Sequence, residues 1–554
     1  MAQLAIALDL GTSGFRGQAL NLQTREIVST AITTRHPLPG ANVIDHLHFA
    51  LEMGVDTAGQ IVMEAINKVI SRLRVPANDV VRIAVCGNPI QLSLFQGIEI
   101  RDLAFAGKRK LELLGVVPPK RDGAVIKAED LRGLLVPSGA EVIIPPAVRH
   151  EIGADALAMM IQTRMLERDE TSLTTDYGTN AEMALHHHGE VITGSTAAGP
   201  ALEGQQISCG MLAMPGAICD LCEEDGYHRV MVLDSEMLPA PGPLLELRTG
   251  HVIEEGQIKP VGITGTGTVA ILNQGITANL IKLPRIHTID AGLHLWEGIF
   301  FNENDLKEAG KAIGSVRAGH ITLCQEAQIG LEDVQTAYMS GASGTYVDPL
   351  KAQQLGMIPP RVKNIYQVGN TSLAMARDLV LDPVNLDVMI NMARNLRQTH
   401  CMFASSKVFE KVYILELSYW TEGMPYAQYQ TFLRKYGFPE LIPVEGNPVV
   451  IRTVKRDIDD LGTLGLVTIP DLGLQIERQF DGCVACLECI QSCSERALQI
   501  REDTDPPTIV LDQSLCNGVA CRRCERACIE KCFQLSNFFI TEGGSEDRNA
   551  LSNS

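Results

Sequence analysis

Two stretches of the chain, LDLGTSGFRG at Leu8–Gly17 and TDYGTNAEMAL at Thr175–Leu185, follow one plan: an acidic residue, a glycine, then small hydroxyl or amide residues. Each ends a short apolar run and opens a segment whose alternation predicts strand, loop, strand, turn, strand. In the first copy QLAIALDLG leads to FRGQALNL, a turn at QTRE and IVSTAITT; in the second SLTTDYG leads to AEMALHHH, a turn at GE and VITGSTAAG. A single D-x-G-T is equally well explained as a type I turn with Asp at its first position. The same device at the ends of two buried strands calls for a chemical explanation. Glycine followed by Thr, Ser or Asn lets backbone N–H groups close around phosphate oxygens, while the leading carboxylate holds a divalent cation or orients a water. Two such loops face to face grip both sides of a polyphosphate.

Three further glycine-rich pieces fit close backbone approach to a nucleoside. VGITGTGTVAIL, with Gly262, Gly265 and Gly267, precedes an apolar helical pattern. Gly265-x-Gly267-x-x-Ala270 imitates a dinucleotide fingerprint, and Asp290 lies at a suitable distance, but GQIKPVG supplies no convincing buried strand before it. YMSGASGTYVD (Tyr338–Asp348) and QVGNTSLAMA (Gln367–Ala376) are glycine turns after apolar segments.

At 554 residues the chain is too long for one core, and length alone implies roughly three or four domains. The hydrophobic fraction of 45% and charged fraction of 20% are those of a soluble globular protein, and no apolar run reaches the roughly 18 residues of a membrane span. MAQLAIALDLG lacks a basic region and reads as a first strand, so a cytoplasmic location without membrane association is expected. The formal charge of −19 argues against nucleic acid as a partner.

Paired D-x-G-T loops, a helix-opening glycine stretch and a late SGASG turn resemble the acetate and sugar kinase, Hsp70 and actin superfamily. That resemblance implies an α/β fold in which two RNase H-like lobes close on ATP. Within it, GNPIQLSLFQGI (Gly87–Ile98), TTDYGTNAEMAL, AAGPALEGQQISCGM (Ala197–Met211), GITGTGT and VGNTSLAMA resemble the ATP-dependent reductive activators of corrinoid proteins. The likeness spans nearly all of residues 1–435. It implies a first phosphate loop of Asp9, Gly11, Thr12 and Ser13 and a second of Asp176, Gly178, Thr179 and Asn180, with Mg2+ beside the carboxylates. Asp9 and Asp176 would act in catalysis; Gly341, Gly344, Gly369 and Asn370 would sit near the nucleoside. Arg16 has two readings, a phosphate contact or a surface residue of the hairpin.

Nine of the fifteen cysteines lie between Cys483 and Cys532. Cys483-x2-Cys486-x2-Cys489-x3-Cys493 is the ligand run of bacterial ferredoxins, in which three thiolates bind one cubane and the fourth reaches the other. Cys516-x4-Cys521-x2-Cys524-x3-Cys528 gives a second set, and ALQI with PPTIVLDQSL reads as the hairpin between them. This resembles a small α+β ferredoxin domain with two [4Fe–4S] clusters. Crosswise ligation would put Cys483, Cys486, Cys489 and Cys528 on one cluster and Cys493, Cys516, Cys521 and Cys524 on the other. Zinc is the competing reading, but four thiolates within eleven residues, repeated, suit cubanes better than tetrahedral sites. Ser494 and Ile529 stand where ferredoxins usually have proline, and Cys532 aligns with Ala497, which reads as packing. Cys219 and Cys222 form a lone CxxC, read as ordinary reduced thiols. His186, His187 and His188 read as a solvated turn, and Lys108–Lys110 as surface.

The expected organisation is therefore a first lobe at 1–170, a second at 171–435, a linker at 436–476, a ferredoxin-like domain at 477–538 and a polar, disordered tail at 539–554. An ATP clamp fused to two cubanes implies that nucleotide turnover drives an electron onto an acceptor that ordinary reductants reduce poorly. For one electron, about 59 mV corresponds to a tenfold change, roughly 1.4 kcal/mol, so a few hundred millivolts needs several kcal/mol from elsewhere. With its clusters at the C-terminus and no plant-type cluster sequence before the lobes, the chain is most similar to the branch of the family serving methylamine methyl transfer. That implies reduction of Co(II) to Co(I) on the corrinoid protein of a methylamine methyltransferase system, with a low-potential electron donor as second partner. No D-x-H-x-x-G signature is present, so the chain need not bind corrinoid itself. The alternatives are an activator of a radical acyl-CoA dehydratase or reductase, a small-molecule kinase with an accessory ferredoxin, and a ferredoxin-tethered ATP sensor.

Overall fold

The computed structural model describes residues 3–538, apart from 41, 106–107, 149–151, 179, 197–199, 205, 397–399, 471, 473–474, 494, 517 and 519–520. Thr179, Ser494, part of Ala197–Met211 and the expected tail at 539–554 thus lie outside the described residues.

All seven residues of the strand Leu4–Leu10 are buried, as a strand covered on both faces requires. It pairs antiparallel with Phe15–Asn21, which pairs with Ile27–Thr33, and parallel with Val80–Gly87, beyond which lie Glu141–Ile144 and Ala124–Lys127. The second lobe repeats this order. Ser172–Asp176 pairs antiparallel with Ala181–His187 and through it with Glu190–Thr196, and parallel with Thr336–Ser340 and then Asn364–Gln367. Asp9 and Asp176 therefore occupy equivalent places, near or at the carboxyl ends of the two central strands.

One face of the first sheet is covered by the helix Val55–Arg72, which buries Ala58, Ile61, Val62, Ala65, Ile66 and Val69 at helical spacing. Against Leu4–Leu10 and Val80–Gly87 packs the helix Thr371–Leu381, although it follows a second-lobe strand in the chain. Residues 371–396, expected in the second lobe, thus complete the core of the first; Leu373, Ala376, Leu379, Met389 and Ala393 are buried there. The chain then returns, and the helix Lys407–Glu422 packs on Glu303–Glu326 in the second lobe.

The segment 436–476, expected to be a linker, is built into both sheets. Val449–Arg452 extends the second sheet beside Asn364–Gln367, and Leu466–Ile469 extends the first beside Ile27–Thr33. The apolar quartets VVIR and LVTI find unpaired edges there. Between them Gln18 Nε2 donates to the Asp460 carbonyl (2.7 Å) and Thr30 Oγ1 to that of Leu461 (3.0 Å). Two further expectations need correction. Gly262–Ile263 is a short buried strand parallel to Ala217–Ile218, so the glycine helix does follow a strand. His186 is buried in register with Ser172, and only His188 (φ 50°) and Gly189 make the turn.

The cysteine-rich region has three antiparallel strands, Gln475–Gln479, Thr508–Asp512 and Leu498–Arg501, with the middle one of the chain at the sheet edge. Phe480, Phe533 and Phe538 pack together with ring centroids 4.9–5.7 Å apart. Among the described residues no helix is long and apolar enough to cross a membrane.

In the first lobe the buried rings of His36 and His46 stack, with centroids 3.8 Å apart. Leu38 N donates to His36 Nδ1 (3.0 Å), and Gln91 Nε2 lies 3.0 Å from His46 Nδ1. Burial pushes the His36 pKa down to about 3 and holds that of His46 well below the usual histidine value. Both are neutral in the folded state, whereas an unfolded histidine takes up a proton below about pH 6.5. Stability is therefore lost as pH falls from about 6.5 toward 3, by up to about 1.4 kcal/mol per pH unit for each ring. The urea midpoint should fall between pH 7 and pH 5, and His36→Phe, which keeps the stack, should flatten that slope; an unchanged slope would assign the loss to other groups.

Candidate nucleotide site and thiol cavities

Asp9 is buried, and two side chains partner it, Arg16 from the neighbouring strand and Asn370 from a distant part of the chain. Arg16 Nη1 is 3.4 Å from Asp9 Oδ2, while Arg16 Nε is 3.4 Å from Oδ2 of the buried Asp457. Asn370 Nδ2 donates to Asp9 Oδ2 (2.8 Å), and its Oδ1 caps the helix Thr371–Leu381 by accepting from Leu373 N (2.7 Å). Burial raises the Asp9 carboxyl above the usual range against the pull of Arg16 and Asn370. Burial likewise raises Asp457, with Arg16 opposing.

Asp9, Gly11, Thr12, Arg16 and Asn370 line one cavity together with Asp176, Gly178, Asn180 and Gly341. The two loops thus open on the same space. Gly341 has φ +78°, and a Cβ there would lie 2.4 Å from Asp176 Oδ1, so the second-lobe turn approaches the aspartate only as glycine. Thr12 Oγ1 accepts from Asn88 Nδ2 (3.2 Å), and Asn88 caps the helix Pro89–Gln96.

The other expected glycines serve differently. Ser13 is buried. Gly265 lines an adjoining cavity with Thr264, Ser343, Tyr346 and Asp457, and Arg16 borders both cavities. Gly262 and Gly267 are packing positions, since a Cβ would lie 2.7 Å from Met211 Sδ or 2.5 Å from the Ile218 carbonyl oxygen. Gly344 lies against the Met339 carbonyl carbon, and Gly369 accepts from Gly341 N (3.0 Å) and approaches the Asp457 carbonyl oxygen.

Sequence reasoning missed Asp155, Glu182 and Ser372, which line the cavity on which the two loops open, and Asp457 beside it. Burial, with the Asp9 charge adding to it, raises the Asp155 carboxyl to about 6 although the Ala156 N–H opposes. In GADALAMM this aspartate reads as a first-turn helix acid, which it also is. Asn88 was findable, because Asn-Pro after a strand is a helix-start signal.

The thiols fall into two groups. Cys483, Cys486, Cys489 and Cys528 line one cavity, and Cys493, Cys516, Cys521 and Cys524 line another. Cys532, expected as packing, stands in the wall of the first, with Sγ 3.7 Å from Cys528 Sγ. In the second, Ala497 N donates to Cys493 Sγ (3.3 Å), Gly518 N to Cys516 Sγ (3.3 Å) and Arg523 Nε to Cys521 Sγ (3.1 Å). As free thiols Cys489 is raised to about 11 and Cys516 and Cys524 to about 12, chiefly by burial, so a bound metal must itself stabilise the thiolates. The second group abuts the first lobe, where Gly40 N donates to the Cys516 carbonyl (3.0 Å) and Arg522 pairs with Glu52.

Duplicated sheets whose loops open on one cavity define a two-lobed protein of the acetate/sugar kinase, Hsp70 and actin (ASKHA) type. Residues 4–168 match the family described as the RACo middle region, and residues 170–430 match the C-terminal domain of RACo, the ASKHA domain. The chain is 47% identical over 516 residues, 93% of its length and 95% of the relative's, to the [Co(II) methylated amine-specific corrinoid protein] reductase of Methanosarcina barkeri. It is 26% identical over 377 residues to the corrinoid activation enzyme RamQ of Eubacterium limosum, covering 64% of this chain and 60% of that protein. A solved reductive activator for a corrinoid, iron–sulfur protein shares the fold, with a TM-score of 0.63 at 23% identity over 75% of this chain and 66% of the other. The chain belongs to the family of reductive activators of corrinoid proteins.

Removing one partner of a buried charge cluster leaves the others uncompensated. Arg16→Met should therefore destabilise the ligand-free protein by about 3 kcal/mol, the low end of the usual range because the guanidinium is 22% exposed. Chemical denaturation measures it, and a loss under ~1 kcal/mol would show that the Arg16 ion pairs contribute little to holding Asp9.

Proposed function

We propose that this chain uses ATP hydrolysis to return Co(II) to Co(I) on the corrinoid protein of a methylamine methyltransferase system. The observation that carries the reading is the union, in one chain, of two glycine loops on one cavity with two separate thiol cavities, one lined by five cysteines and one by four. The methylamine system is favoured by the name of the relative that matches along nearly the whole chain.

In this reading Asp9, Gly11, Thr12, Ser13, Arg16, Asp176, Gly178, Thr179 and Asn180 hold and act on the phosphates. Asn370, Gly341, Gly344 and Gly369 shape the nucleoside side, and the adjoining cavity with Gly265 at its wall extends it. The residues fit the polyphosphate: Gly341 makes a cradle that a Cβ would fill. Asp9, Asp155, Asp176 and Glu182 line the same space with hard oxygen donors, the ligand type that Mg2+ takes beside phosphate. A cation there would favour the charged form of carboxyls that burial disfavours.

The two cysteine groups fit two [4Fe–4S] clusters, one held by Cys483, Cys486, Cys489 and Cys528 and one by Cys493, Cys516, Cys521 and Cys524. When bound, such clusters supply one-electron carriers between a low-potential donor and cobalt. The lobes supply what the carriers lack, since a cluster passes electrons only at its own potential and ATP turnover can change the conformation of the partner. We place this chemistry in the cytoplasm, where ATP and reduced thiols coexist.

Anaerobically prepared protein should contain about eight iron per chain, as two cubanes require; zinc with little iron would end the cluster reading. Asp176→Ala should abolish ATP-dependent Co(I) formation while both clusters remain reducible by dithionite. Cys521→Ala should abolish electron delivery while nucleotide binding persists. Cobalt absorbance, iron content and nucleotide binding in one anaerobic series check both, and normal Co(I) formation by Asp176→Ala would disprove the coupling.

A further inference from the structure

The two cysteine cavities differ in what surrounds their sulfurs. In the second, Arg523 Nε donates to Cys521 Sγ (3.1 Å), and Arg523 Nη2 lies 2.7 and 2.8 Å from the two oxygens of Glu495. Glu495 stands two residues after Cys493, in the other cysteine run, so the guanidinium is pinned across the two halves of the domain. Beside the first group lies the neutral thiol of Cys532 instead, with Val484, Leu487, Ile500 and Phe533 in the wall.

Reduction adds negative charge to a cluster and its thiolates. A hydrogen bond from a cation is worth more in that state than in the oxidised one, so it raises the reduction potential. We propose that Arg523 is a tuning residue that sets the cluster held by the second group at a higher potential than the first. This rests on the two-cluster reading above. The electron then comes to rest at the site that meets the first lobe through Gly40 and Cys516, while the first group, whose Cys486 is exposed beside exposed Val484 and Ile529, forms the entry side.

Glu495 gives the idea a second sign. Its charge offsets part of that of Arg523, so Glu495→Gln should raise the same potential that Arg523→Gln lowers. A merely structural role for the pair predicts shifts in one direction or loss of iron.

The test is a redox titration of the full-length protein, followed by electron paramagnetic resonance at low ionic strength because the Arg523 side chain is 41% exposed. In Arg523→Gln one midpoint should fall by the equivalent of at least a tenfold change, about 59 mV for one electron, with the other unmoved and about eight iron retained. Arg523→Lys should fall less. Unmoved potentials, equal shifts of both, or loss of about four iron per chain would each overturn the proposal. Wild-type protein without iron–sulfur signals would instead remove the two-cluster reading on which it stands.

Discussion

Everything in the lobes is arranged around the cost of burying the Asp9 carboxylate. A charge taken from water without partners costs several kcal/mol, and the strand that carries Asp9 is buried along its whole length. The compensation comes from Arg16 across the hairpin and Asn370 at a distant helix start, while the buried Asp457 competes for the same arginine. The helix that Asn370 caps crosses from the second lobe to complete the first core, and Asp457 lies between the two added edge strands. The polar centre and the crossing connections are therefore one arrangement. Burial still holds Asp9, Asp155 and Asp457 above their ordinary range, against the pull of Arg16 on Asp9 and Asp457.

What could be read from the sequence was what is encoded locally. Asp-x-Gly-Thr after an apolar run needs only neighbours to announce a strand end and loop, and both copies lie where the pattern placed them. Cysteine spacing is local in the same sense, and the two groups divide as crosswise spacing divides them. Asp155, Glu182 and Asp457 carry no such signal: Asp155 reads as a first-turn helix acid, Glu182 follows one residue into a strand, and Asp457 lies in the irregular stretch between the two edge strands, where only the fold brings it to Arg16. Gly262 and Gly267 looked like ligand-binding glycines and are instead places where backbone or a methionine comes close. A glycine in a sequence reports that space is short; it does not report what fills it.

The segment 436–476 failed as a linker for a related reason. Strands of four residues with half-buried faces have weak periodicity, and edge pairing is decided by which sheet offers an open edge. The helix Thr371–Leu381 likewise has an unremarkable amphipathic pattern, and only the bare face of the first sheet decides where it goes.

That added segment has a mechanical consequence. Its strands are laddered to opposite lobes, so the halves are bound like the boards of a book along a shared spine, and residues 453–465 are the part of the spine between the two ladders. Opening or shutting the boards must flex that stretch. The stretch holds Asp457, whose carboxylate touches Arg16 where that residue lines the cavity on which the two loops open. A change in the gap between the boards is thus felt in the spine as a displaced Asp457–Arg16 ion pair.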